Sequence, residues 1–455
     1  MGIYKQARKL ALGVACASGL VAGVGMVAAP GSALAVPCAA TTTGSGSSLQ
    51  EAQQNEWKIL LETTQELANC TPKRPKFVYT ATSSGQGLKE FGMPGKKLVK
   101  TESGNKSTLD AFIGTDDPPT AGQLTEAKEA SESNAVVVPV VAAPVAIIVH
   151  LPKECLLKNE VGVTNAALSK AFASEAITWE EFLGAANVES KDVSKVACKS
   201  KPMIDVRFDE SGTSFALKQY LCQVNKTVWG GGAASKCESG EGVVSDNNKW
   251  PNEKEFEAAK EKATEIPLHW HEGVKNEKSK GEVEAIEKEE GSLGYANLAN
   301  ATGKFVLSAT DAELFWVNVE GKESETGTLF YDPLASTTVV EANCPQAFSF
   351  AGTQETEAKE SKWATIHLAS PVISGAYPLC TLTYDVGWEN YLTTKLKGAE
   401  GYGSELVAEE NGGSAQNYFE YMVKAPGQEM IASDYSKLPS TIQTVAGTLA
   451  TLLKP

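Results

Sequence analysis

The sequence contains few of the residues that bind metals or carry out redox chemistry. It has four histidines among 455 residues, and none of its nine cysteines forms a CxxC pair. Structural zinc sites and dithiol centres need cysteines or histidines at short, fixed spacings. His269 and His271 would place two imidazoles on one side of a strand, but no third ligand follows at such a spacing. We therefore expect no metal site and no cofactor.

Several motifs of enzymes and of nucleic-acid-binding proteins are also missing. No glycine-rich segment carries the lysine of a nucleotide P-loop, and none fits the GxSxG pattern of a hydrolase nucleophile. After residue 35 no apolar run is long enough to span a bilayer. The formal net charge is −15, which argues against nucleic acid as a partner.

Residues 1–35 have the pattern of an export signal. Three basic residues precede the apolar run 10–29, and Ala33-Leu34-Ala35 supplies the small residues of a cleavage site. We expect an exported mature chain that begins near Val36. Removal of three basic and no acidic residues takes its net charge from −15 to −18. An uncleaved membrane anchor and a lipid on Cys16 remain open alternatives.

Eight cysteines follow this leader, an even number in a compartment that permits disulfides. They allow many pairings, and the sequence alone does not choose among them. We expect bonds between neighbours in sequence: Cys38–Cys70, Cys155–Cys198, Cys222–Cys237 and Cys344–Cys380.

The mature chain alternates short apolar runs with amphipathic stretches. Phe77-Val78-Tyr79 precedes a Gly/Ser turn, and 136–150 is a long β-branched run. The spacing of Trp57, Leu60, Leu61, Thr64 and Leu67 predicts a helix with one apolar face, as does that of Leu217, Tyr220, Leu221 and Val224. This alternation predicts an α/β fold built on parallel sheets.

Three polar stretches interrupt the alternation. We interpret 95–108 and 230–250 as surface loops because they are rich in turn-forming and polar residues. The stretch 253–290, dense in Glu and Lys, is typical of a solvated helix.

Three Gly/Ser clusters stand directly before helical stretches, at 44–49, 83–87 and 211–215. A helix N-terminus offers unpaired N–H groups and the positive end of the helix dipole, so it suits an anion. Each cluster taken alone is also an ordinary helix cap. The combination of three predicts an anion site.

Two charged residues accompany the clusters. Arg207 stands four residues before Ser211 and can bind an oxyanion in a bidentate manner. Asp116 follows Gly114-Thr115 and precedes Asp117-Pro118, a context that also fits a simple turn. An ionised carboxylate only accepts hydrogen bonds, so it suits an anion that carries a proton. Phosphate near neutral pH carries one, whereas sulfate does not.

The segment 207–215 resembles the R-x-D-x-S-G-T-S-F signature of the high-affinity phosphate-binding proteins that serve ABC phosphate importers. The likeness continues in order with the loop 44–49 and Trp57, with Ser83-Ser84-Gly85, and with Asp116-Asp117-Pro118. Segments 291–295, 377–381 and 435–439 resemble family landmarks outside the site. Residues 320–361 and 398–413 match no family feature.

The resemblance implies a set of ligand contacts. Hydroxyl groups would come from Ser48, Ser83, Ser211 and Thr213, backbone N–H groups from Leu49 and Gly212, charge from Arg207, and an acceptor from Asp116. The first loop departs from the family, which usually shows Thr-Phe where this chain has Ser48-Leu49. About thirty residues separate Ser84 from Asp116, which is also more than usual.

The resemblance further implies a type II periplasmic-binding-protein-like fold with two α/β domains, a cleft between them and a two-strand hinge. Domain I would comprise 36–146 and 383–455, and domain II 147–382. We expect a monomer that binds inorganic phosphate and delivers it to the membrane permease of an ABC importer, with no enzymatic activity. A phosphate-ester hydrolase with Asp116 or Ser211 as nucleophile, and a surface protein without a ligand, are the alternatives.

Overall fold

The structure is a computed structural model. It describes residues 36–63, 66–67, 69–93, 109–173, 177–192, 196–207, 209–230, 237, 268–269, 277–321, 328–335, 342–347, 363, 368, 370, 375–394 and 405–455. The predicted export signal, the predicted loop 95–108, nearly all of 231–276 and the side chains of His269, His271 and His367 lie outside the described part.

The strands, in chain order, are β1 (Val36–Pro37), β2 (Thr41–Gly46), β3 (Cys70–Thr71), β4 (Lys76–Ala81), β5 (Phe112–Thr115), β6 (Ala135–His150), β7 (Cys155–Leu157), β8 (Gly162–Val163), β9 (Val188–Ser190), β10 (Met203–Asp205), β11 (Leu268–His269), β12 (Ser292–Asn297), β13 (Val306–Leu307), β14 (Leu314–Trp316), β15 (Asn318–Glu320), β16 (Phe330–Tyr331) and β17 (Cys380–Trp388).

The helices are α1 (Glu51–Thr63), α2 (Ser84–Glu90), α3 (Ala121–Ser131), α4 (Asn165–Phe172), α5 (Trp179–Leu183), α6 (Gly212–Val224), α7 (Lys226–Trp229), α8 (Lys278–Lys288), α9 (Leu298–Ala301), α10 (Glu405–Val423), α11 (Ala425–Glu429) and α12 (Ser440–Ala450), with a 3₁₀ turn at Ala197–Lys199.

Most of the longer strands form one mixed sheet in the order β11-β10-β12-β6-β17-β5-β2-β4. At one end β2 pairs in parallel with β4 and β5, and at the other β10 pairs in parallel with β11 and β12. We call the first group of strands, together with the helices and loops that follow them, the β2 half, and the second group the β10 half. The predicted α/β class is confirmed, and the expected parallel pairing holds within each half. It is wrong for the middle of the sheet, where β6 and β17 run antiparallel to their neighbours.

Strand β6 links the two halves. Every residue in it is buried except His150, which explains why its sequence is an unbroken apolar run rather than an alternating one. It pairs with β17 along residues 135–144 and with β12 along 145–150. The register of β17 against β6 shifts between Thr383 and Tyr384, which lies opposite Pro139. Because proline cannot donate to a strand ladder, an irregularity at this point is expected.

The predicted amphipathic helices are present, with differences at their ends. Helix α1 buries Trp57 and Leu61 and ends at Thr63. Helix α6 buries Leu217, Tyr220 and Leu221, as predicted.

The helix predicted within 253–290 is present at Lys278–Lys288, but the prediction that it is solvated is wrong for one of its faces. Helix α8 buries one face, including Glu282, Val283 and Ile286. Val283 and Ile286 pack in an apolar cluster with Ile148 of β6. A few apolar residues lie on one face of this helix, but the many charged residues around them make that pattern hard to recognise in the sequence.

All four predicted disulfides are confirmed. Cys38 is bonded to Cys70, Cys155 to Cys198, Cys222 to Cys237, and Cys344 to Cys380. Within the described ranges, no helix has the length and apolar content needed to cross a membrane.

Candidate functional site

The candidate site lies where four strand-to-helix or strand-to-loop connections meet between the two halves. The segments after β2, β4 and β5 carry Ser47, Ser84 and Asp116, and the segment after β10 carries Arg207 and leads into α6. Parallel strands end at one edge of a sheet, so the residues that follow them are brought together in space. This explains how residues far apart in sequence meet at one point.

Asp116 is the central side chain of this group. It is buried, with 2% of its surface exposed. Its Oδ1 accepts a hydrogen bond from Ser47 Oγ at 2.5 Å, and its Oδ2 accepts one from Ser84 Oγ at 3.2 Å. The Asp116 backbone N–H also donates to Ser84 Oγ at 3.2 Å. Two serine hydroxyls therefore hold the carboxylate in one orientation.

Helix α6 begins directly against this carboxylate. A Cβ atom added to Gly212 would lie 2.5 Å from Ser84 Oγ and 2.7 Å from Asp116 Oδ2, distances that real carbon atoms do not adopt. Glycine at this position permits the backbone to approach closely. The first turn of α6, from the β10 half, thus touches Asp116 and Ser84 of the β2 half.

Burial raises the pKa of Asp116 to about 6, because the protein interior disfavours a charge. The hydroxyl groups of Ser47 and Ser84 and the positive charge of Arg207 act in the opposite direction. Asp116 is therefore ionised at neutral pH, where it can only accept hydrogen bonds, and protonated in mild acid, where it can also donate one.

Arg207 supplies a buried positive charge. Its Nε donates to Asp209 Oδ1 at 2.6 Å, one terminal nitrogen to Asp209 Oδ2 at 2.5 Å, and the other to Ser279 Oγ at 3.3 Å. Burial lowers the pKa of Arg207, but the charge and hydrogen bonds of Asp209 outweigh it, so the net shift is upward. The guanidinium carries five N–H donors, and these bonds use three of them.

The predicted hydroxyl and N–H donors lie around this centre. Ser83 caps α2 by accepting from the Gln86 N–H at 3.2 Å, and Ser211 caps α6 by accepting from the Ser214 N–H at 3.2 Å. Gly212 and Thr213 form the first turn of α6 and are buried. The segments of Ser83, Asp116, Arg207 and Ser211–Thr213 therefore come together.

The first loop takes a position that the sequence did not indicate. Ser48 Oγ accepts from the Ser279 N–H at 3.3 Å, across the two halves. The Leu49 N–H donates to Ser47 Oγ at 3.0 Å. Ser47, rather than Ser48, contacts Asp116.

Sequence reasoning missed several residues of the site. Ser47 and Ser84 are each next to a predicted residue, so the motif indicated the loop but not which hydroxyl contacts Asp116. Ser279 lies in the charge-rich stretch and had no detectable pattern. Tyr295 comes from a segment placed outside the site, yet its hydroxyl accepts from the Arg207 backbone N–H at 3.1 Å and bonds Ser214 Oγ.

Two further residues that the sequence analysis missed bind the backbone of the first loop at Leu49. The carbonyl oxygen of Leu49 accepts from Asn297 Nδ2 at 2.5 Å and from the Tyr435 hydroxyl at 2.5 Å. Asn297 ends β12 in the β10 half, whereas Tyr435 follows α11. The backbone of Leu49 is therefore fixed on both sides of its α-carbon.

A second buried carboxyl lies near Asp116. Asp385 of β17 accepts from Gln54 Nε2 at 2.9 Å, and burial raises its pKa to about 7, with a further contribution from the charge of Asp116. Close acidic groups of this kind resist simultaneous ionisation.

No group of three or more metal-ligating side chains occurs in the part of the chain that the structure describes. His150 Nδ1 lies 2.9 Å from the carbonyl oxygen of Ile286, which is an ordinary structural contact.

A family model described as a PBP superfamily domain matches residues 37–410. The chain belongs to the PBP superfamily. Its fold is the two-domain periplasmic-binding-protein-like fold, and as a PBP superfamily member it is a binding protein rather than an enzyme. A comparison with curated protein sequences finds no match.

Solved structures similar to this PBP superfamily member include three phosphate-binding proteins. A human phosphate-binding apolipoprotein has 15% identity and a TM-score of 0.57, over 90% of this chain and 93% of the other. A high-affinity periplasmic phosphate-binding protein, PfluDING, solved with phosphate, has 17% identity and a TM-score of 0.56 over the same shares. A phosphate-binding protein from Stenotrophomonas maltophilia has 15% identity and a TM-score of 0.52, again over 90% and 93%. At these identities the likeness shows the fold.

Proposed function

We propose that this protein captures inorganic phosphate outside the cytoplasm and delivers it to the membrane permease of an ABC importer. The observation that carries the proposal is the position of Asp116. A buried carboxylate, which only accepts hydrogen bonds, lies directly against the first turn of α6 and within electrostatic reach of Arg207.

An anion site that contains a carboxylate favours an anion with a proton to donate. The first turn of α6 and the Arg207 guanidinium supply donors and positive potential for the oxygens of the ligand. Asp116 supplies an acceptor for a hydroxyl. Monohydrogen phosphate satisfies both requirements, whereas sulfate would place an unprotonated oxygen against Asp116.

The proposed ligand contacts are those that the resemblance implies: Ser48, Leu49, Ser83, Asp116, Arg207, Ser211, Gly212 and Thr213. One of these donors needs a change of partner on binding. The Leu49 N–H now donates to Ser47 Oγ, so phosphate would replace that acceptor. Ser47 and Ser84 would keep Asp116 oriented through their own hydrogen bonds.

We place domain I at 36–146 and 383–455, and domain II at 147–382. Both limits fall within β6 and β17, the strands that link the β2 half to the β10 half. The exchange of partner strand along β6 after residue 144 and the register shift at Thr383/Tyr384 are the features that support a hinge there.

Short-range interactions must carry the binding. A mature chain of charge −18 repels anions at long range, but salt at physiological concentration screens charges beyond about 8 Å. The Arg207 charge and the α6 donors act inside that distance and away from water.

Isothermal calorimetry with phosphate and with sulfate tests the proposal. We expect phosphate to bind to one site per chain and sulfate to bind at least about 100-fold more weakly. A mature protein that ignores phosphate would contradict the proposal and leave a surface protein without this ligand. Turnover of a chromogenic phosphate ester would contradict it in favour of a hydrolase.

A further inference from the structure

Glu210 lies in the segment that connects Arg207 to α6, and it contacts the opposite half. Its carbonyl oxygen accepts a hydrogen bond from the Gly85 backbone N–H at 3.1 Å. Its carboxylate Oε1 lies 2.6 Å from Lys89 Nζ. Gly85 and Lys89 are both in α2, which packs on β2 and β5. We call Gly85, Lys89 and Glu210 the closure contact.

Building on the proposed function, we propose that Glu210 is a positioning residue that docks on Gly85 when the two halves close, and thereby sets the Ser211–Thr213 segment on the ligand. Glu210 directly precedes Ser211, and Gly85 directly follows Ser84, which bonds Asp116. The closure contact therefore lies one residue from Ser211 in the β10 half and one residue from Ser84 in the β2 half.

The absence of a side chain at Gly85 is what permits this contact. A Cβ atom there would lie 2.3 Å from both Glu210 Cβ and Glu210 Oε2. The Glu210 carboxylate can rotate away, but its Cβ is attached to the backbone. An alanine at position 85 would thus keep the two segments apart.

The same alanine is compatible with the β2 half taken by itself. Gly85 lies in α2 without a left-handed backbone conformation, and alanine favours a helix more than glycine does. The obstruction therefore arises only where the two halves meet. The ion pair is the lesser part of the contact, because Lys89 and Glu210 are 40% and 35% exposed and water weakens such pairs.

The test is Gly85→Ala, with phosphate affinity measured by calorimetry and thermal unfolding measured without ligand. We expect the dissociation constant to rise at least about 100-fold, with the unfolding temperature unchanged or higher. Gly122→Ala is the matched control, because Gly122 is an exposed glycine of α3 whose added Cβ would meet only Thr120 Oγ1, at 3.9 Å. It should leave phosphate binding unchanged.

Two second-site variants separate obstruction from other effects. Glu210→Gly removes the opposing Cβ, so Gly85→Ala/Glu210→Gly should bind phosphate at least about tenfold more tightly than Gly85→Ala alone. Glu210→Ala keeps that Cβ, so Gly85→Ala/Glu210→Ala should not recover. Small-angle X-ray scattering should show a smaller radius of gyration on phosphate addition for the wild type and for the Gly122→Ala control, but not for Gly85→Ala.

The outcomes distinguish this inference from the proposed function. A wild-type protein that does not bind phosphate overturns the function and the inference together. If the wild type binds phosphate and Gly85→Ala binds it equally well, the inference alone is overturned. It is also overturned if both second-site variants recover equally, or if neither does.

Discussion

The replacement Asp116→Asn should allow the site to bind sulfate. In the wild type, an ionised Asp116 would face a sulfate oxygen with no proton between them, in a position that is 2% exposed. An unpaired buried charge of this kind costs about 3 kcal/mol, which corresponds to about a 100-fold preference for phosphate. Asparagine keeps an oxygen for the Ser47 hydroxyl and presents an N–H₂ donor in place of Oδ2. Most of that preference should then disappear through tighter sulfate binding.

The pH dependence of the preference provides a second readout. Because burial raises the pKa of Asp116 to about 6, the wild-type carboxyl is charged above that pH and protonated below it. The protonated form can donate to sulfate, so the wild-type preference should fall as the pH drops through about 6. The preference of the Asp116→Asn variant for phosphate over sulfate should show no such fall at about pH 6. Dividing the wild-type preference by that of the variant at each pH cancels the effect of the protonation of phosphate itself.

Competition calorimetry between phosphate and sulfate, at pH values from about 5 to 8, measures both effects. Asp117→Asn is the control, because Asp117 is half-buried and its backbone N–H bonds Thr115 Oγ1. If Asp117→Asn narrows the preference and Asp116→Asn does not, the assignment of Asp116 is wrong by one residue. If neither variant narrows it, recognition of the phosphate proton is not the basis of selectivity.

Three further predictions concern charge, stability and oxidation. Arg207→Ala should weaken phosphate binding at least about 100-fold, or about 3 kcal/mol. Arg207→Lys should also weaken it, because a single ammonium cannot bind in a bidentate manner. If calorimetry shows that Arg207→Ala lowers the phosphate affinity less than about tenfold, Arg207 is not part of the site. Asp385→Asn should raise the free energy of unfolding at pH 8 but not at pH 4, because the raised pKa of Asp385 means that its buried carboxyl costs stability once the pH rises through about 7. The shift from 3.8 to about 7 corresponds to at most about 4 kcal/mol. Denaturation of the wild type and the variant at both pH values measures the difference. All eight mature cysteines should be oxidised, and two or more free thiols in the unreduced, unfolded protein would refute this.

The pattern of apolar residues predicted much of the fold. The run at 136–150 is β6, and the two amphipathic faces at Trp57 and Tyr220 lie in α1 and α6. The mixed pairing in the middle of the sheet was missed because the direction of a strand depends on how the chain crosses from one half to the other. The types of residue in the strand do not indicate that path. Helix α8 was misjudged because acidic residues were taken as a sign of exposure, whereas the side chain of Glu282 is buried.

The candidate site could be predicted by segment and less well by atom. Gly/Ser clusters mark loops that need free N–H groups and small side chains, and the structure brings all three of these loops together around Asp116. Which of two adjacent serines contacts Asp116 depends on the backbone torsions at the end of each strand. Ser279 and Asn297 reach the site through contacts between the two halves, and such long-range contacts leave no local pattern in the sequence.

The four disulfides bear on the stability of the proposed domains. Each joins cysteines 15 to 43 residues apart, a loop size for which a cross-link contributes about 3 to 4 kcal/mol by limiting the unfolded chain. With the domain limits proposed above, no bond runs from one domain to the other. If the hinge lies at those limits, the disulfides stabilise each domain against unfolding without placing a covalent bond across the hinge.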